Sequence, residues 1–163
     1  SLRDICPLLE GGGALLHRRR GAAGKGVHVS GGTFKGVAVL VPVIRNADKL
    51  TLKELIPQYN DLVELVRERR LPPDATGGSV ATVTNFGTFG LTWATPIPLP
   101  EQTLVLGMGT GRRVPHWSVE KRQFVPIVEA NLTLSFDHRV LDGGAAGRLL
   151  TRVAHLLGHP AQL

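Results

Sequence analysis

The chain has 163 residues, 42% hydrophobic and 20% charged, which suits one compact domain that buries its own core and argues against global disorder. Its single cysteine, Cys6, excludes an internal disulfide framework and a cysteine-based zinc site. The formal charge of +6 raises nucleic acid as a partner, but the basic residues are scattered and aromatics are only 5%, so a base-stacking set is missing; an anionic, nucleotide-bearing small molecule fits equally well.

Residues 1–36 are Gly- and Arg-rich, with Gly11–Gly13 and Arg18–Arg20, and show no helical or strand period of useful length. Residues 10–36 read as mostly loop, with a short strand near Val27–Val29. Val37–Ile44 is rich in β-branched residues and reads as a buried strand. Its eight residues include Pro42 and fall far short of the ~20 that a membrane-spanning helix needs. The N-terminus carries no signal-peptide pattern, so the expected compartment is the cytoplasm, or the mitochondrial matrix in a eukaryote.

Thr51 and Glu54 have capping-box spacing, and Leu52, Leu55, Ile56, Tyr59, Leu62, Val63 and Val66 follow at helical intervals. The spacing predicts a helix over 51–70, kinked or delayed by Pro57 and ended by Pro72 and Pro73. Gly77-Gly78 opens a strand over 79–85, and Thr103–Met108 reads as another. Val114–Ser118 and Gln123–Val128 read as a hairpin around Glu120–Lys121. Leu132, Leu134 and Phe136 alternate with polar residues, which marks a half-buried strand leading into His138. Leu149, Leu150, Val153, Leu156 and Leu157 give the last helix one apolar face, stopped by Gly158 and Pro160. This order predicts an α/β two-layer sandwich with a mixed sheet.

Of six histidines, only His138 sits in a dense polar constellation, Ser135-Phe136-Asp137-His138-Arg139-Val140-Leu141-Asp142-Gly143-Gly144, at the junction of the last strand and helix. A titratable cluster there is held by the sheet yet faces a cleft. Asp142 is placed to cap the helix beginning near Gly143. Arg139 is read in two ways, as a contact to an anionic ligand or as a salt-bridge partner of Asp137 or Asp142. Phe86, Phe89 and Trp93 suit either a pocket lining or the core. Asn131-Leu132-Thr133 is a glycosylation sequon inside an expected strand, Gly107-x-Gly109 lacks the third glycine of a dinucleotide fingerprint, and Gly24-Lys25 lacks the frame of a phosphate loop; all three are set aside.

His138–Gly143 matches His-x-x-x-Asp-Gly, shared by coenzyme A-dependent acyltransferases, and the longer string Ser135–Gly143 resembles the signature of dihydrolipoamide acyltransferases, core subunits of 2-oxo acid dehydrogenase complexes. Val41–Asp48, Gly77-Gly78-Ser79 through Thr84-Asn85-Phe86-Gly87, and Thr95-Pro96-Ile97 with Leu104–Gly109 resemble further segments of that family in the same order. The resemblance covers 37–163 as the C-terminal part of the catalytic domain. It implies the chloramphenicol-acetyltransferase-like fold, N-terminally incomplete, because 1–36 matches the family poorly and its catalytic domain is longer. It implies acyl transfer between S-acyl-dihydrolipoamide and coenzyme A, with no metal.

By the same resemblance, His138 is the general base, Thr84 donates to the oxyanion, and Asp142 holds the histidine loop; Arg139 and Asn85 are carried as coenzyme A contacts. The site then lies between neighbouring subunits of a homotrimer that builds a larger core. The lipoyl group comes from another domain or chain, and the dehydrogenase components are partners; a membrane is not, and nucleic acid is disfavoured. The alternative is a non-catalytic core or assembly protein that keeps the trimer surface. A weaker third reading is an anion or nucleic-acid binder using 18–25.

Overall fold

The computed structural model describes the backbone of residues 26–30 and the whole of residues 41–162. Strand β1 (Gly26–Ser30) is the short strand expected near Val27–Val29, and it lies inside the main sheet. The rest of the loop expected over 10–36, and residues 37–40, fall outside the described residues. Of the strand expected over Val37–Ile44, the described residues carry Val43–Ile44 as β2, with Val41 and Pro42 outside it. Pro42 just before it has a fixed φ and no N–H to give a ladder, so Val41 and Pro42 stay outside the strand. Val43 and Ile44 are both buried, as befits a strand covered on both faces.

Helix α1 (Leu52–Arg67) starts at its expected cap. The Glu54 N–H donates to Thr51 Oγ1 at 3.4 Å, and the Thr51 N–H donates to Glu54 Oε2 at 2.8 Å. This reciprocal box fixes the start, so Pro57 does not delay it, and the helix runs as one element past the proline. It ends three residues before the expected 70. Arg69 is left-handed (φ 57°), the Arg69 N–H donates to the Val66 carbonyl at 3.1 Å and the Arg70 N–H to the Leu65 carbonyl at 2.9 Å. That is a Schellman ending with arginine where glycine is usual.

Strands β3 (Ser79–Asn85), β4 (Leu104–Met108) and β7 (Leu132–Phe136) complete a five-stranded mixed sheet in the order β2-β1-β3-β4-β7. The β1–β3 and β3–β4 pairs are parallel; β1–β2 and β4–β7 are antiparallel. Gly77 and Gly78, both at positive φ, turn the chain into β3. Strands β5 (Arg112–Ser118) and β6 (Gln123–Glu129) form the expected hairpin, in a separate two-stranded sheet.

Helix α2 (Gly143–Gly158) covers one face of the main sheet. Leu141, Ala145 and Leu149 are buried with Ala81 and Leu104, and Leu134, Phe136 and Val153 pack against them. The expected apolar face is right except at Leu157, which is exposed. Gln102 is buried but satisfied: its Nε2 donates to Ser79 Oγ at 2.7 Å and its Oε1 accepts from the Leu99 N–H at 3.2 Å.

Candidate active site

The His138 turn is built on Asp137, the first residue after β7. The Asp137 N–H donates to the Thr103 carbonyl at 2.8 Å, which ties the turn to the start of β4. The Asp137 carbonyl accepts from Val140 at 2.9 Å and Leu141 at 3.1 Å. Its Oδ1 accepts the Arg139 N–H at 3.0 Å, a local side-chain-to-backbone bond of the Asx type. Beyond the turn, Leu141 is 2% exposed and anchors the chain in the core. His138 itself is exposed, with its ring 5.6 Å from that of Phe136 at a 36° tilt.

Asp142 caps α2: its Oδ1 accepts the Ala145 N–H at 2.7 Å. That bond holds the carboxyl below the usual carboxylate range, against the opposing effect of desolvation. The Gly144 N–H and the charges of Arg148 and His138 push the same way. Asp142 therefore orients the loop from the helix side and presents negative charge to the imidazole. Arg139 pairs with Asp137 rather than Asp142. Its Nε donates to Oδ1 at 2.9 Å and its Nη2 to Oδ2 at 2.7 Å. An open groove of about 610 Å³ runs from Gly143 and Gly144 along α2 past Gly147, Arg148 and Arg152.

Thr84 lies elsewhere in the same chain. It pairs with Gly107, which pairs with Thr133, so the three form one row across β3, β4 and β7. The row that leads to His138 is Ala81–Leu104–Phe136. The rows are three residues, ~10 Å, apart along the strands, and β3 and β7 are roughly 10 Å apart across the sheet. His138 continues beyond Phe136, away from Thr84. Strand alternation also puts Thr84 on the face opposite α2, and its neighbour Asn85 on the α2 face. The fold thus brings His138, Asp142, Asp137 and Arg139 together but leaves Thr84 and Asn85 at the other end of the sheet.

Several residues outside the expected set position these segments. Arg45 donates from Nε to the Asp74 carbonyl at 3.1 Å and from Nη2 to the Thr76 carbonyl at 3.2 Å, which ties β2 to the turn before β3. A Cβ on Gly107 would stand 2.5 Å from Thr133 Oγ1 and 2.6 Å from Phe86 Cε1. Gly107 is therefore a packing glycine, and Phe86, buried, belongs to the core. Phe89 and Trp93 are exposed. Asn131 donates from Nδ2 to the Thr92 carbonyl at 3.0 Å and pins the Trp93 loop, which explains the sequon as structure. Arg45 and Asn131 lie in segments that sequence analysis singled out, but only the folded contacts show what they hold. Among the described residues there is no cluster of three or more metal-ligating side chains, and no helix long and apolar enough to cross a membrane.

A mixed sheet under a C-terminal helix is an α/β acyltransferase fold, shared with solved catalytic cores of this class. The solved cubic core of a pyruvate dehydrogenase multienzyme complex superposes with a TM-score of 0.76 at 30% identity, over 97% of this chain and 67% of that one. The dihydrolipoamide acetyltransferase of Azotobacter vinelandii gives 0.74 at 31% identity, with the same shares of 97% and 67%. A dihydrolipoyllysine-residue acetyltransferase component of the pyruvate dehydrogenase complex from Pseudomonas aeruginosa is 35% identical over 133 residues, 82% of this chain and 24% of that protein. The 2-oxoacid dehydrogenases acyltransferase (catalytic domain) model matches residues 26–163, and the chain belongs to that family. The match begins ahead of Val37 and takes in β1. The chain spans about a quarter of the length of the curated relatives it matches.

Proposed function

We propose that this chain transfers an acyl group between S-acyl-dihydrolipoamide and coenzyme A in the core of a 2-oxo acid dehydrogenase complex. Acetyl is the favoured acyl group, because the relative from Pseudomonas aeruginosa is an acetyltransferase. The observation that carries the reading is the His138 turn: a solvent-facing imidazole on a backbone fixed from both sides, by Asp137 and by the Asp142 cap.

A free thiol has a pKa of ~8.5 and is mostly protonated at neutral pH. A neutral His138 accepts the proton from the coenzyme A thiol as its sulfur attacks the thioester carbon. The carbonyl oxygen becomes an oxyanion, stabilised by the Thr84 hydroxyl. When the intermediate collapses, the bond from carbon to the lipoyl sulfur breaks and the imidazolium returns the proton to that thiolate. The Azotobacter vinelandii enzyme was studied for the catalytic role of a serine, a histidine and an asparagine four residues after the histidine. Here His138 is followed at that spacing by Asp142, and Thr84 supplies the hydroxyl.

Thr84 is too far from His138 to serve it within one copy, so the site forms between two copies, His138 from one and Thr84 from its neighbour. A homotrimer, the assembly the family resemblance implies, completes one site at each of its three interfaces, and a larger core extends it. Asn85 is the proposed contact to coenzyme A; the Arg139 guanidinium is engaged by the Asp137 carboxylate instead. The lipoyl arm arrives on another domain or chain, the dehydrogenase components are the proposed partners, and the proposed compartment is the cytoplasm or mitochondrial matrix.

The test is acetyl transfer from acetyl-coenzyme A to dihydrolipoamide. His138→Ala should lower kcat by roughly 10²–10⁴ and Thr84→Ala by about 10²–10³. Co-expressing the two variants should restore about a quarter of wild-type activity, since random assembly gives that share of sites both intact groups. A folded, trimeric wild-type chain without activity would favour the non-catalytic core reading.

A further inference from the structure

Among the groups around His138, the pair formed by Asp137 and Arg139 is not used by the mechanism above. It rests on three contacts beyond the backbone bond: Nε to Oδ1 at 2.9 Å, Nε to Oδ2 at 3.2 Å and Nη2 to Oδ2 at 2.7 Å. The carboxylate also accepts the Arg139 N–H at 3.0 Å. The arginine side chain is 80% exposed and that of Asp137 22%. An ion pair so open to water adds little to global stability. Its geometry nevertheless is the planar, two-point kind that only a guanidinium provides. It closes over a single residue, and that residue is His138.

We infer that Asp137 and Arg139 form a clamp that sets the orientation of His138, making both of them positioning residues for acyl transfer. Asp137 holds the turn through its N–H, its carbonyl and its Oδ1. Arg139 restricts rotation of the Asp137 carboxylate away from the turn. With the carboxylate locked, the Arg139 N–H stays bonded and the backbone on both sides of His138 is fixed. The imidazole then varies only by its own side-chain torsions, between Phe136 behind it and the capped start of α2 ahead. Across the start of α2, the Asp142 carboxylate is within electrostatic reach of both His138 and Arg148. Misplacing a catalytic group by about 1 Å costs roughly a hundredfold in rate, which gives a clamp of this kind its leverage.

The inference rests on the acyltransferase reading, and Arg139→Gln tests it on an exposed side chain whose loss leaves the core untouched. In intact assemblies, steady-state kinetics should show kcat about ten- to a hundredfold lower for Arg139→Gln than for wild type, with KM for coenzyme A unchanged within about twofold. Arg139→Lys should not restore kcat, because an ammonium cannot span both carboxylate oxygens. Combining Arg139→Gln with Asp137→Asn should cost no more than Asp137→Asn alone, the mark of two residues acting as one unit. Amide exchange at Val140 and Leu141, whose N–H groups bond Asp137, should speed up in Arg139→Gln while the melting temperature holds. A rise in KM for coenzyme A at constant kcat would make Arg139 a ligand contact and overturn the clamp. Full rescue by lysine, additive losses or unchanged exchange would also overturn it. Loss of activity in the wild-type chain would instead remove the acyltransferase reading, and the exchange measurement would still decide whether the clamp exists.

Discussion

Asp142 joins two jobs in one carboxylate, since the bond that caps α2 also fixes the charge facing His138. Its carboxyl titrates below the usual range when folded, so the unfolded chain binds the proton more readily. The stabilisation is fully present above about pH 4 and is lost as the pH falls through the lowered value. Asp142→Asn keeps an oxygen for the Ala145 N–H but removes the charge. Denaturant unfolding should find the variant less stable than wild type at pH 7, with the gap narrowing as the pH falls below about 4; a gap constant with pH would refute this account. At this scale the sequence was eloquent about identity and silent about pairing. His138 and Asp142 stand out by spacing. Whether Arg139 meets Asp137 or Asp142 depends on how a four-residue turn closes, and spacing leaves both open.

Elements were legible where local chemistry alone decides them. Thr51 and Glu54 set the start of α1, and the four residues between β5 and β6 close the hairpin with Arg122 left-handed (φ 48°). They were less legible where a single residue breaks the pattern. Pro42 shortens β2, and Arg69 ends α1 through a backbone conformation that its side chain does not advertise. Arg69→Gly should raise stability by up to about 1 kcal/mol in urea unfolding, because glycine meets no steric penalty at a left-handed position. Gly107→Ala should do the reverse. Its methyl would press on Thr133 Oγ1, already buried without a hydrogen-bond partner among the described residues, and on the Phe86 ring. Overpacking of that kind costs about 1–3 kcal/mol. A loss near zero would mean that Phe86 moves freely, and the row that carries Thr84 would be softer than described.

On the scale of the whole molecule, the separation of Thr84 from His138 was legible only through the family resemblance; composition and periodicity do not carry it, since it follows from strand order and register. Much apolar surface also stays outside. Trp117 and Phe124 meet edge to face with ring centroids 5.2 Å apart, yet both are exposed, as are Trp93 and Ile97. Exposed aromatic groups on this scale suit a surface covered by a second copy. The proposed trimer should therefore unfold at a temperature that rises with protein concentration, and Phe124→Ser should lower both the oligomer fraction by light scattering and that temperature. A melting temperature independent of concentration would argue against assembly-dependent stability.

Strand β7 ends the main sheet. Among the described residues its outer side has no neighbouring strand. A five-residue edge that alternates apolar Leu132, Leu134 and Phe136 with Thr133 and Ser135 is a template for adding another chain, and it carries none of the lysines or prolines that usually blunt such an edge. The strand that delivers the histidine turn is thus also an edge, among the described residues, at which a lone copy is open to mispairing. Chain made in excess of what assembles would be lost to aggregation, and supply of this subunit would have to be matched to the demand for cores.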